Sequence, residues 1–190
     1  MADAMKLKAA VYRGTTDTGD GEGDPTGIVE INEILKDKPH LITEAIKFLK
    51  ARIKDRSPAT SCIAMDLLDQ CMQTNGLQFQ LLVIKKVLQR MFKFSLPNKG
   101  NHPNIQQKAA SLVRSWAATY SSDARLAEFG NVAKELARKE EVARQQALAV
   151  SGGMPAPRAA PARPPAYGYP QEYPQNAYGD AWSPDPYGGY

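Results

Sequence analysis

The chain has 190 residues, of which 23% are charged, and a formal net charge of +4. So mild a positive excess is not the dense basic stripe of a duplex-DNA binder, and no nucleic-acid partner is expected. There is no leader pattern and no run of the roughly 18 apolar residues a membrane span requires, so the chain reads as cytosolic, with Cys62 and Cys71 as reduced, buried thiols.

Two regions differ in composition. Nine of the 14 prolines and six of the eight tyrosines follow residue 150, whereas all five phenylalanines precede it. Residues 1–148 are therefore expected to form one helical domain, long enough to bury a core. Residues 149–190 are rich in Pro, Tyr and Gly and poor in aliphatics. They are expected to stay disordered, because little apolar burial is available to offset ordering entropy. Arg158 and Arg163 against Glu172, Asp180 and Asp185 leave the tail at −1, so the domain carries +5.

In chain order, residues 3–13 predict a short first helix and residues 14–24 a Gly/Asp/Thr loop. Asp24 followed by Pro25 predicts a cap and first helical position. The helix that follows carries Ile28, Ile31 and Leu35 on one side and ends at Lys38-Pro39. Residues 41–55 give the clearest amphipath, with Ile42, Ile46, Leu49 and Ile53 in one seam. Ser57-Pro58 opens a helix that turns Ile63, Leu67, Leu68 and Cys71 inwards and closes at Asn75-Gly76. The stretch from Phe79 to Phe94 is apolar nearly all round and is expected to be central. Pro103 opens a helix to Tyr120, and residues 122–148 predict the last one, with Leu126, Phe129, Val132 and Leu136 inwards. No strand pattern occurs, so the fold class is an all-α stack of about eight helices.

This order of helices resembles the VHS domain of endosomal sorting adaptors, the family of Hrs, STAM, GGA and TOM-type proteins. The resemblance covers about residues 4–140. It is carried first by Asp24 and the run Ile28, Val29, Glu30, Ile31, Asn32, Glu33, then by the long amphipathic helix Thr43–Arg56. The next segment has Ala64, Met65, Leu67, Leu68, Cys71, Met72, Thr74, Asn75, Gly76 and Phe79, with Gln80 where the family often has His. Lys108, Leu112 and Trp116 close the pattern. The resemblance implies a right-handed superhelix of about eight helices in the ENTH/VHS superfamily. It also implies a non-enzymatic adaptor in vesicular and endosomal sorting, peripheral on endosomal or Golgi membranes.

Four candidate sites follow. Many VHS domains bind ubiquitin through the second helix, using a Trp at its start and a nearby aliphatic. Here those positions are Pro25 and Val29, and the candidate ubiquitin-binding residues are Ile28, Val29 and Glu30, with plain core and rim packing as the competing reading. The GGA branch binds acidic sorting peptides between its sixth and eighth helices, where Lys85, Lys86, Arg90 and Lys134 are candidates. Lys47, Lys50 and Lys54 share one helical face opposite the apolar seam. They form a candidate phosphoinositide site, since each cation near an anionic membrane contributes about 1 kcal/mol; a solvated face is the alternative. Last, Pro164-Pro165-Ala166-Tyr167 has the form of a ligand for WW modules, with Pro164, Pro165 and Tyr167 as the recognised residues.

Other chemistry is not supported. Asp20, Glu22 and Asp24 have calcium-loop spacing, but Pro25 stands where Gly is needed and Ile31 where Glu is needed. His40 and His102 have no ligand-like neighbours in sequence, so neither a metal nor another cofactor is expected. Nor is there a phosphate loop or nucleophile elbow, and no enzyme is expected. The competing function is a nuclear factor that reads the RNA polymerase II C-terminal tail on the same superhelical architecture. The Asp-x-x-Tyr motif of such factors is absent, residues 66–69 being Asp66-Leu67-Leu68-Asp69.

Overall fold

A computed structural model describes residues 2–19, 21–97 and 100–151. The tail, including Pro164, Pro165 and Tyr167, lies outside the described residues, as does Asp20. Eight α-helices are present: α1 Ala2–Gly14, α2 Pro25–Asp37, α3 Ile42–Arg52, α4 Pro58–Thr74, α5 Gly76–Val83, α6 Gln89–Ser95, α7 Pro103–Tyr120 and α8 Glu128–Ser151. Short 3-10 turns lie at Pro39–Leu41 and Ala124–Leu126, and a π turn, Ile84–Leu88, joins α5 to α6. The expected all-α class therefore describes this part of the chain, which contains one isolated bridge, Asp17 to Gly23, and no named strand.

Local chemistry sets the helix starts. The Asp24 carboxylate accepts from the Thr26 backbone N–H at 2.9 Å, and Pro25 stands at the first helical position, where no N–H is needed. Ser57 Oγ accepts from Thr60 N at 3.3 Å ahead of Pro58. His102 Nδ1 accepts from Asn104 N at 3.3 Å ahead of Pro103. After Asn75, Gly76 takes φ +64°, the left-handed conformation that ends α4 and turns the chain into α5.

The hub is α4, which packs against α1, α2, α3, α5 and α7. Its small residues Thr60, Ser61 and Ala64 are buried together with Ile63, Met65, Leu67, Leu68, Cys71 and Met72, so apolar or compact side chains ring most of the helix. The stretch expected to be central, α5 through α6, buries a single face (Phe79, Val83, Val87, Leu88, Met91). Leu81, Leu82, Ile84, Phe92 and Phe94 are left half-buried against the core. The last expected helix is divided. The Asp123 carboxylate accepts from Arg125 N at 2.9 Å and sets a 3-10 turn before α8, which then continues to Ser151, past residue 148.

The amphipath expected over residues 41–55 ends earlier, at Arg52. Ile53 is still buried, but Lys54 N bonds back to Ala51 O at 3.2 Å in a turn, and Ser61 Oγ donates to the carbonyls of Ile53 and Asp55. Lys54 has therefore left the helical row of Lys47 and Lys50. Arg52, beside that row in sequence, is committed elsewhere. Its guanidinium donates to Thr15 Oγ1 at 2.7 Å, pairs with Asp55 at 2.8 Å and stacks 4.9 Å over the Tyr12 ring, which locks α3 to the end of α1.

Candidate functional site

The first candidate surface lies between α2 and α4. Pro25, Ile28, Ile63, Asp66, Leu67 and Gln70 line a cleft of about 380 Å³, closed at one end by the 21–24 loop. Successive helical residues point about 100° apart, so Ile28, Val29 and Glu30 cannot share one direction. Ile28 is half-buried on the cleft, and Val29 is 55% exposed on the outer face. Glu30 is turned towards α1, where it accepts from Arg13 at 2.7 Å. The structure thus brings Ile28 and Val29 to adjoining faces and gives Glu30 a partner inside the protein.

The cleft owes its shape to the close approach of α1 and α2. Gly27 is buried facing Gly14, and a Cβ built on Gly27 would stand 2.5 Å from the Gly14 Cα. Carboxylates ring the opening. Asp24 is held below the ordinary carboxylate range, first by the Thr26 hydroxyl and then by the Thr26 N–H. Asp66 pairs with Lys108 of α7 at 2.6 Å. Both thiols lie on α4: burial pushes Cys71 up to about 12 and also raises half-buried Cys62, against the opposing pull of Lys108. Thiols so protonated are poor nucleophiles and fit the structural reading.

The four cations proposed for a sorting peptide come from three elements, the π turn, α6 and α8. Lys85 and Lys86 project from the π turn, the Arg90 guanidinium lies 5.7 Å over the Phe94 ring, and Lys134 is exposed on α8. The groove between α6 and α8 is lined instead by Gln89, Phe92, Glu128, Asn131, Val132 and Glu135. Of its two carboxylates, Glu135 is paired with Arg138 at 2.7 Å and Glu128 accepts from Asn131 at 3.2 Å. Lys86 instead joins Lys47 and Lys50 across a second groove, between α3 and the π turn. Sequence reasoning missed this grouping and the α4 wall of the first cleft. Ile63, Asp66, Leu67 and Gln70 have helical spacing, but a stripe of that kind reads equally well as core.

Among the described residues no His, Cys, Asp and Glu cluster is placed to hold a metal ion, and no helix is long and apolar enough to cross a membrane. The described residues thus form a stack of short helices with grooves between them. The chain belongs to the VHS-domain family, whose profile matches residues 1–140. It is similar to vacuolar protein sorting-associated protein 27 of Yarrowia lipolytica, with 23% identity over 116 residues, covering 61% of this chain and 20% of that protein. The protein of the same name from Neurospora crassa is 27% identical over 114 residues, 58% of this chain and 16% of that protein. Human TOM1-like protein 1 is 26% identical over 125 residues, 59% of this chain and 26% of that protein. The chain thus spans about a quarter or less of the length of these curated relatives.

Proposed function

We propose that this chain is a non-enzymatic adaptor in endosomal protein sorting, peripheral on endosomal or Golgi membranes, whose α2 face binds ubiquitin on cargo. The observation that carries this reading is the 55% exposure of Val29 beside the aliphatic-floored cleft that Ile28 borders. A lone exposed valine is ordinary, but this one adjoins Ile28, which borders a cleft walled by Ile63 and Leu67. Pro25, at the position of the family's Trp, is itself exposed and lines the cleft, so the anchor is smaller and the interface correspondingly weak. In the same reading Pro164, Pro165 and Tyr167 recruit WW modules, so that two weak contacts on one chain reinforce each other. The family match and the relatives named for vacuolar sorting support this role over the polymerase-tail reading.

Val29→Asp is expected to lower the affinity of the full chain for ubiquitin about tenfold, since a charge would replace the apolar contact at the centre of the site. Lys50→Glu, on α3, is expected to leave it unchanged. Biolayer interferometry on immobilised ubiquitin reads both. Equal binding by Val29→Asp and the unaltered chain would remove α2 from the interface.

A further inference from the structure

The groove between α3 and the π turn has a composition of its own. Thr43, Ile46, Lys47, Lys50, Leu82 and Lys86 line a cavity of about 220 Å³. Its floor is aliphatic, with Ile46 buried and Leu82 half-buried. Its walls are lysines from two elements: Lys47 and Lys50 stand three apart on α3, and Lys86 comes from the π turn opposite. The π turn bears on this placement. Its wider winding keeps the neighbours Val87 and Leu88 both buried while Lys86 reaches the groove edge. Single π turns inside α-helices are frequent at functional positions.

None of the six lining residues is acidic. Lys50 and Lys86 have no ion pair among the described residues. Lys47 touches Glu44 at 3.3 Å with its side chain 70% exposed, a contact that an incoming anion displaces readily. Three cations around an apolar floor match a ligand that is both anionic and apolar. A hydroxyl-rich lipid headgroup would satisfy the lysines but leave Ile46 and Leu82 against polar groups. We infer that this groove docks a short acidic segment of a partner protein, with one aliphatic side chain on the Ile46–Leu82 floor and flanking carboxylates on Lys47, Lys50 and Lys86. The inference is independent of the α2 reading, which uses other helices.

The test is selection of a displayed random heptapeptide library against the full chain, followed by fluorescence anisotropy of the selected peptides. The expected result is enrichment of Asp and Glu on both sides of an Ile, Leu, Val or Met. Lys50→Glu and Lys86→Glu should each weaken binding about tenfold, and Lys54→Glu, outside the groove, should not. All three positions are at the surface, and matching melting temperatures confirm that the variants fold. Selected peptides without the acidic–aliphatic pattern, or binding insensitive to Lys50→Glu and Lys86→Glu, would overturn the inference. So would the absence of any selected peptide together with Lys50- and Lys86-dependent binding to phosphatidylcholine vesicles doped with a phosphatidylinositol phosphate. That result would assign the groove to a membrane surface.

Discussion

Trp116→Ala is expected to destabilise the helical domain by about 3–5 kcal/mol, the range for deleting a large buried aromatic. Trp116 is 1% exposed and is one of the largest fully buried side chains. It joins three helices. From α7 its ring meets Phe129 of α8 edge-to-face at 5.7 Å, and its indole N–H donates to Asp69 of α4 at 2.6 Å. Alanine at this position leaves a cavity at the junction of α4, α7 and α8 and removes the donor to Asp69. For a domain of this size the loss corresponds to a fall in Tm of roughly 6–20 °C. Trp116→Phe separates the two contributions. It keeps most of the volume and loses the hydrogen bond, so it should cost about 1–2 kcal/mol. Thermal melts followed by circular dichroism measure both. A fall of only a degree or two for Trp116→Ala would mean that the α7–α8 end does not pack as described.

Gly27→Ala is expected to destabilise by about 2–3 kcal/mol, and here the sign is the informative part. A glycine inside a helix is worse than alanine by roughly 0.5–1 kcal/mol, so on helix propensity alone the substitution would stabilise α2. Packing opposes it. The added Cβ would lie 2.5 Å from both the N and the Cα of Gly14 and 2.9 Å from the Ala10 carbonyl oxygen, all of them backbone atoms with no rotamer to change. α1 and α2 would have to separate, loosening Leu7, Ala10 and Val11 from Ile31 and Leu35 in the core. The repulsion outweighs the propensity gain, and Tm should fall by roughly 4–12 °C. A rise in Tm would show that the two helices do not meet at these glycines. Because Pro25, Ile28 and the cleft follow directly from that crossing, the same variant should also weaken any ligand held at α2.

What was legible in the sequence was mostly local. Asp24-Pro25 and Ser57-Pro58 announce helix starts because a cap and a donor-free first residue act within one turn, and both stand where expected. Asn75-Gly76 marks the end of α4 for the same reason, since the left-handed step needs a glycine. The end of α3 was not legible. Ile53 keeps the apolar seam going after the helix has stopped, so periodicity alone carried Lys54 onto the wrong element. Nor was the π turn legible in a stretch that is apolar on nearly every side. The buried roles of Thr60 and Ser61 were hidden as well, because small polar residues look like surface until their partners, such as the Ile53 carbonyl for Ser61, are placed. Of the proposed site, Val29 comes from the resemblance alone, and the structure leaves it exposed. The joining of Lys86 to Lys47 and Lys50 depends on how α3 packs against the π turn, which no local pattern encodes. The placement of Lys85, Lys86, Arg90 and Lys134 likewise depends on packing between helices: Lys86 lines the groove beside α3, and the groove between α6 and α8 has other lining.

The most direct test of the α2 reading is a titration of the isotope-labelled full chain with unlabelled ubiquitin, followed by amide chemical shifts. The account predicts saturable shifts centred on Ile28 and Val29 that extend across the cleft to Ile63 and Gln70, with α3 and α8 unaffected. A spectrum that stays unchanged to millimolar ubiquitin, or shifts confined to the Lys47–Lys50 side, would contradict it.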